Sequence, residues 1–180
     1  MTEERLKIID NIHQDKYDDI TYDKTVILKD LYKDPDLLEV LHNKELEKIN
    51  ASPEDYRNIN IFSYLKIPDT QSVVKNFICF EVDTTEEVFN NNVMVTKLVK
   101  FRTVSHVDDV ETEYGIDRQD LLALIVKDRF NWSNILGMQL KKIYDSGKVT
   151  ENDYYYRDIY FKTTVTNSLQ KGIAQNLLKR

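Results

Sequence analysis

The fold is decided by the stretch VMVTKLVKFRTVSH at residues 93–106 and by the order of the segments after it along the chain. Apolar and polar side chains alternate along this stretch, which predicts a long β-strand. The acidic segment HVDDVETEYG (residues 106–115) comes next, then two helical patterns, and finally the alternating segment YYYRDIYFKTTVT (residues 154–166). A long strand, helices and a closing strand in this order predict an α+β domain.

The segment before this strand predicts its pairing partner. Its side chains at 74, 78, 80 and 82 share one face, whereas Phe77 and Cys79 fall on the other, so both faces of this strand should be covered. Asn90-Asn91-Asn92 is a plausible hairpin turn between the two strands, because asparagine tolerates positive φ. The two strands are therefore expected to form an antiparallel pair, and Cys79 to be a buried small hydrophobe rather than a reactive thiol.

Two helices are predicted between the acidic segment and the closing strand. The first begins after Asp117 as N-cap, and its buried stripe is expected to contain Leu121, Leu122, Leu124 and Ile125. The second restarts at Asn131 or Ser133 and carries Ile135, Leu136, Leu140 and Ile143. It is expected to end at Ser146-Gly147, since glycine suits a left-handed position after a helix.

The first third of the chain predicts short helices. Leu6, Ile9 and Ile12 fit one face of a first helix, residues 24–33 form a second, and Asp34-Pro35 and Ser52-Pro53 each provide a helix start. Their narrow apolar faces must pack on the β region or on another subunit. The predicted organisation is a small, mostly antiparallel sheet packed by two helices, with residues 1–58 as a helical extension, 59–166 as the α+β core and 167–180 as a tail.

Composition excludes some classes of function. The net charge is −6, from 31 acidic and 25 basic side chains, and no dense Lys/Arg stripe is present. A sequence-reading DNA binder is therefore disfavoured, because tight duplex binding requires many phosphate contacts. No apolar run approaches the length of a membrane span, and the charged N-terminus lacks the apolar core of a signal peptide.

The acidic segment holds the best candidates for chemistry, namely His106, Asp108, Asp109, Glu111 and Glu113. A histidine among carboxylates could bind a divalent metal that activates water for hydrolysis. The alternative interpretation is a solvated acidic loop that lines a pore or meets a basic partner. His13 and His42 are expected to be ordinary surface or boundary residues rather than ligands, and no Gly-rich phosphate loop or G-x-S-x-G elbow is present.

The segment Gly115-Ile116-Asp117-Arg118-Gln119-Asp120-Leu121-Leu122 carries a resemblance to a known family. A long strand that leads into an R-x-D-x-L helix, here Arg118, Asp120 and Leu122, is similar to the tail terminator (tail completion) proteins of tailed bacteriophages. The similarity covers roughly residues 70–166. The segments ILKDLYKDPDLLEVLHN and NIFSYLKIPDTQ also look like proteins from the structural gene blocks of phages of low-GC Gram-positive bacteria.

The resemblance implies a virion structural protein that forms a sixfold or twelvefold ring at the head–tail neck, with no enzymatic step and no cofactor. Such a ring joins the tail tube to the portal, lets duplex DNA pass without sequence-specific binding, and assembles in the host cytoplasm without a membrane. Its subunit contacts are expected at Leu37, Leu41, Tyr154 and Tyr156. The alternatives are a head-completion or adaptor protein of the same neck, a metal-dependent hydrolase that uses the cluster from His106 to Glu113, and a monomeric binding module.

Overall fold

A computed structural model describes Glu3 and residues 19–66, 75–85, 94–149 and 153–166 of the 180-residue chain. Within the described ranges from residue 19 onward, the helices are α1 (Asp19–Leu31), α2 (Pro35–Leu41), α3 (Lys44–Lys48) and α4 (Arg118–Phe130). The strands are β1 (Ile61–Phe62), β2 (Asn76–Thr85), β3 (Met94–His106), β4 (Lys141–Val149) and β5 (Tyr154–Thr166). Within the described ranges, no helix combines the length and the apolar character that crossing a membrane requires.

The five strands form one sheet in the order β1-β2-β3-β5-β4. Strand β1 runs parallel to β2, and the other three pairs of neighbours are antiparallel. The register places Phe101 of β3 between Phe80 of β2 and Ile159 of β5. The predicted α+β class and the predicted antiparallel pairing of β2 with β3 are therefore confirmed. The hairpin turn predicted at residues 90–92 lies outside the described residues.

The main core lies on the sheet face that the helices cover. Phe101 is fully buried there, and its ring centroid lies 4.8 Å from that of Phe130, 5.7 Å from that of Phe80 and 5.9 Å from that of Phe161. Apolar residues of α1, α2 and α4 complete this core. Because three strands and a helix each place an aromatic ring at this point, the packing of the helical layer on the sheet is centred on Phe101.

A smaller cluster lies on the opposite face of the sheet. Its members are Phe62, Phe77, Cys79, Val104 and Tyr154. Strand β2 is therefore covered on both faces, as predicted. The Cys79 side chain is fully buried, and burial raises the pKa of its thiol to about 11, so the side chain packs as a small hydrophobe.

The helices of the first third pack on the sheet of their own chain. Helix α2 begins as predicted, because the side chain of Asp34 accepts a hydrogen bond from the Leu37 amide and Pro35 occupies the first helical position. Helix α1 is held to β3 by a buried ion pair in which Lys97 Nζ lies 2.6 Å from Asp23 Oδ2. These helices share the main core with the sheet. The predicted boundary at residue 58 stays a prediction, and the helix predicted around Leu6 lies outside the described residues.

Helix α4 is rotated about its axis relative to the predicted stripe. Its buried side chains are Arg118, Gln119, Leu122, Ala123, Val126 and Phe130. Leu124, predicted to be buried, is 43% exposed. Arg118 and Gln119 are buried in the first turn, and positions four and seven residues further along a helix lie on the same face. The buried face therefore continues through Leu122, Ala123 and Val126.

The second predicted core helix is wrong. Residues 131–140 form turns, and residues 141–149 form strand β4 at the edge of the sheet. Gly147, predicted to end a helix, lies within this strand opposite Arg157. Hydrogen bonding to β5 replaces the helical hydrogen bonds, and two side-chain contacts add to it: Arg157 Nε lies 2.6 Å and Lys127 Nζ 3.1 Å from the Asp145 carboxylate.

The aromatic core gives a first testable prediction. Phe101→Ala removes the ring at the centre of the main core and is expected to lower the free energy of unfolding by about 3–5 kcal/mol, because a cavity remains. Urea denaturation followed by circular dichroism measures the change. Leu124→Ala, an apolar truncation at an exposed position, is the matched control and should change stability by no more than about 0.5 kcal/mol. Equal effects of the two substitutions would contradict this description of the core.

The attachment of β4 gives a prediction that depends on pH. Burial by itself would raise the pKa of Asp145, but hydrogen bonds from Arg157 and Lys127 outweigh this effect and hold the pKa well below its usual range. The carboxylate therefore stabilises the fold fully above the unfolded-state pKa of about 4. This contribution decreases below that value and is lost as the pH falls through the lowered folded-state pKa.

Asp145→Asn is accordingly expected to cost about 1–2 kcal/mol near pH 6.5 and markedly less at about pH 2. Urea denaturation of both proteins at the two pH values measures the difference. Asp128→Asn, at an exposed position of α4, serves as the control. A cost of Asp145→Asn that is the same at both pH values would show that the ion pairs do not act as described.

Candidate functional site

The acidic loop at residues 107–117 connects β3 to α4 and is tightly folded. Its first residues form a 3-10 turn, in which Nδ1 of His106 accepts a hydrogen bond from the Asp108 amide. Further along, the Thr112 hydroxyl donates to the Ile116 carbonyl. Gly115 lies between them at a φ of 69°, a left-handed conformation that glycine adopts without steric cost. Hydrogen bonds within the loop therefore stabilise its conformation, in addition to the contacts that the loop makes with the rest of the protein.

The side chain of Arg118 anchors the acidic loop to the rest of the protein. This side chain is buried, and its Nε donates to the Asp109 carbonyl at 2.7 Å. Nη1 donates to the carbonyl of Val40 at the end of α2 at 2.9 Å, and Nη2 donates to the Glu111 carbonyl at 3.2 Å. A planar guanidinium can satisfy several fixed acceptors at once. One side chain therefore joins helix α2, the acidic loop and the first turn of α4.

Asp109 is the second anchor. Asn76 at the start of β2 donates to its carboxylate at 2.6 Å, and Nδ1 of His42 lies 3.1 Å from both carboxylate oxygens. Arg118 Nη2 adds a contact to Oδ1 at 3.3 Å. His42 reaches this position from the left-handed C-cap of α2, where its φ is 51°. Asp109 is thus engaged by three side chains and connects the loop to the sheet and to α2.

His42 and Asp109 line a cleft of about 590 Å³ between α3, the start of β2 and the acidic loop. An amide network stiffens its wall, because Asn43 donates to the Asn60 side chain and Asn60 donates to the Asn76 carbonyl. The described lining residues include no Ser, Thr or Cys. The contact between His42 and Asp109 holds the acidic loop against the end of α2.

The outer side of the loop is an exposed acidic surface. Glu111 and Glu113 are exposed, and Tyr114 between them and α2 is 61% exposed. The pKa of Tyr114 is raised above its usual range because negative carboxylates surround it, Glu113 first and then Glu39 and Asp36 of α2. We call Asp36, Glu39, Glu111, Glu113, Tyr114 and the 39% exposed Ile116 the acidic patch.

The five loop residues proposed as a metal site do not converge on one point. Asp109 faces Arg118, while Nδ1 of His106 accepts from the Asp108 amide and lies 3.4 Å from Asp108 Oδ2. Glu111 and Glu113 are exposed. Within the ranges that the structure describes, no group of three or more His, Cys, Asp or Glu side chains is arranged to hold a metal ion.

The residues predicted to meet neighbouring subunits are largely internal. Leu37 and Leu41 are fully buried in the main core, and Tyr154 is 2% exposed in the smaller cluster. Leu37, Leu41 and Tyr154 are therefore corrected to core positions, since side chains enclosed by their own chain are not available to a neighbour. Tyr156 is partly exposed and carries the Arg102 guanidinium 4.4 Å above its ring.

The motif that carries the family resemblance has a structural role at each position. Arg118 anchors the loop, and Leu122 is fully buried in the main core. Asp120 accepts a hydrogen bond from Arg157 of β5 at 2.8 Å. Sequence reasoning found these three residues through the resemblance but missed the contact between His42 and Asp109, which lie 67 positions apart and share no local pattern.

The Arg118 anchor gives a third prediction. Arg118→Lys keeps the positive charge but removes the planar guanidinium with its several N–H donors, so the carbonyls of Val40 and Glu111 lose their donor. We expect the free energy of unfolding to fall by about 1–3 kcal/mol and the amides of residues 107–116 to exchange faster with solvent. Hydrogen exchange and urea denaturation measure both effects. Arg57→Lys at an exposed position is the control, and unchanged loop exchange in Arg118→Lys would contradict the anchor.

Comparison with known proteins gives one family. Ten chains of solved structures match, and one of them, designated only by a sequence identifier, has a TM-score of 0.39 at 9% identity, with 74% of this chain and 96% of that chain covered. No curated protein matches the sequence significantly. Residues 34–163 match the YomW family. The match spans well over half of the chain, so the protein belongs to the YomW family, whose name is of the Bacillus phage type and indicates a phage-encoded protein.

Proposed function

We propose that this protein is a virion structural protein of a tailed bacteriophage and forms a ring at the head–tail neck. As a tail terminator it joins the tail tube to the portal and leaves a passage for the genome. Membership of a family with a phage-type name supports the phage origin. The R-x-D-x-L resemblance at Arg118, Asp120 and Leu122 supports the position at the neck. A head-completion or adaptor role in the same neck is the alternative.

The observation that carries the proposal is the fixed acidic loop. Arg118 and Asp109 hold its backbone to α2 and to β2, while Glu111, Glu113 and Tyr114 face outward. A loop that is ordered by buried hydrogen bonds and carries exposed charge is suited to a constant contact with a neighbour or with passing DNA. Assembly proteins need such preorganised surfaces, because ordering a loop upon binding costs free energy.

The charge of the chain fits a passage for DNA. The net charge of −6 and the exposed carboxylates of the loop repel phosphates, so duplex DNA slides past without being held. The proposed partners are further copies of this chain in a sixfold or twelvefold ring, the portal-side neck proteins and the tail tube. The proposed location is the neck of the virion, after assembly in the cytoplasm of the bacterial host, and the proposed role has no enzymatic step.

Deletion of the gene from the phage that carries it tests the proposal. We expect lysates to contain heads and tails that are not joined, with infectious titre reduced by several orders of magnitude. Negative-stain electron microscopy of the lysate measures the outcome. The gene supplied from a plasmid should restore joined particles, which serves as the control for effects on neighbouring genes.

The same experiment shows how the proposal would fail. Normal virions in the deletion lysate would overturn the neck role. Mass spectrometry of purified virions adds a second readout, since a neck protein must be present in the particle. Absence of the protein from complete virions would also overturn the proposal.

A further inference from the structure

The single tryptophan of the chain occupies an unusual position. Trp132 follows α4 with a φ of 69°, and its side chain is 55% exposed. A bulky residue in the left-handed region costs free energy that the surrounding structure has to offset. Here the Trp132 amide donates to the Leu140 carbonyl at 2.7 Å, so the turn fixes the backbone while leaving the indole in solvent. The fold thus holds a large aromatic side chain outward.

Further exposed apolar and basic side chains follow Trp132 closely along the chain. Met138 and Ile143 are each 52% exposed, and Lys141 and Lys142 beside them are exposed. Hydrogen bonds tie the pieces together, because the Lys142 amide donates to the Asn131 side chain and the Leu140 amide donates to the Ser133 carbonyl. We call Trp132, Met138, Lys141, Lys142 and Ile143 the Trp132 patch. An exposed aromatic residue with apolar neighbours and a polar rim is typical of a protein interface.

The patch lies on the edge strand of the sheet. Strand β4 pairs with β5 on one side only, and in the described part of the chain it is the last strand of the order β1-β2-β3-β5-β4. Its outer side presents backbone donors and acceptors that β5 does not engage, except for the Lys142 amide, which donates to the Asn131 side chain. A partner that covers the Trp132 patch can therefore also satisfy backbone groups of β4.

The acidic patch has the complementary character. Tyr114 and Ile116 are exposed apolar side chains, and the carboxylates of Glu113 and Glu39 lie close to Tyr114. The two patches lie at opposite ends of α4, because the acidic loop leads into its first turn and Trp132 follows its last turn. A helix of 13 residues separates them by roughly 19 Å. The patches are therefore distinct surfaces of one rigid unit.

We propose that the Trp132 patch of one copy of this protein docks on the acidic patch of a second copy, head to tail. The apolar centres cover each other, and the lysine rim of one faces the carboxylate rim of the other. Contact between two Trp132 patches would bring Lys141 and Lys142 against their equivalents and is disfavoured by charge. A contact between two different surfaces generates a ring when its rotation closes. The inference rests on the proposed function, because the two docked patches form the contact between neighbouring subunits of the proposed ring.

Tryptophan fluorescence and sedimentation test the contact, because the chain has one tryptophan. With rising protein concentration we expect the emission of Trp132 to shift to shorter wavelength while the sedimentation coefficient increases. Raising the salt concentration should weaken association, since the rims are exposed charges. The full-length chain is used throughout. Emission that stays unshifted and a protein that stays monomeric at millimolar concentration would overturn the docking proposal.

Charge reversal identifies the two surfaces. Lys141→Glu and Glu113→Lys should each weaken self-association by about tenfold or more, because each places like charges across the contact. Lys142 is left unchanged, since its Nζ lies 3.3 Å from Asp145 Oδ2. An equimolar mixture of the two variants should associate again, because each supplies the charge that the other requires. Only a head-to-tail contact between these patches predicts this rescue.

Matched variants outside both patches serve as controls. Lys48→Glu and Glu54→Lys change the same charges at exposed positions and should leave association unchanged. Circular dichroism verifies that every variant is folded. If Lys141→Glu and Glu113→Lys associate as tightly as the unaltered chain, or if their mixture shows no rescue, the docking proposal is wrong. The deletion experiment is independent of this result, because heads and tails that fail to join would still support the neck role.

Discussion

The buried guanidinium of Arg118 is the interaction on which the arrangement of this protein depends. It donates to the carbonyls of Val40, Asp109 and Glu111, which belong to helix α2 and to the acidic loop. Backbone carbonyls that leave water need donors, and a single guanidinium supplies several in a fixed plane. The loop keeps one position on the helical layer because Arg118 binds the carbonyls of Asp109 and Glu111 together with that of Val40. The outward direction of Glu111 and Glu113 results from that position.

Helix α4 links this anchor to the second surface. Its buried face packs through Phe130 against Phe101 at the centre of the main core, so the helix is fixed to the sheet along its length. The acidic loop leads into one end of the helix, and the turn that holds Trp132 outward leaves the other. Two surfaces of different charge are therefore held at a set separation by one packed element. A chain built in this way is suited to repeated contacts with identical copies. The assembly role proposed for this member of the YomW family requires such contacts.

The edge strand β4 shows why the helix predicted after residue 130 is wrong. Ile135, Leu136, Leu140 and Ile143 have the spacing of a helix, yet Trp132 and Gly137 both adopt positive φ and divide the segment into turns. Residues 141–149 then pair with β5, where Asp145 meets Arg157 and Lys127. Periodicity describes a segment in isolation, whereas strand pairing depends on a partner far along the chain. For the same reason Leu37 and Leu41 lie in the core and not at the predicted subunit contact, because a narrow apolar face does not reveal whether the chain covers it itself.

The amino-acid sequence by itself determined the α+β class, the strands β2, β3 and β5, and the start of α2 at Asp34. Each of these depends on local alternation or on local capping. It also determined which side chains stand in the acidic loop. Only the tertiary structure decided that Asp109 turns inward to His42 and Asn76 while Glu113 stays outside, and that residues 141–149 form an edge strand. Those outcomes depend on contacts between residues far apart in sequence, whose free energies exceed local preference and leave no periodic trace in the chain.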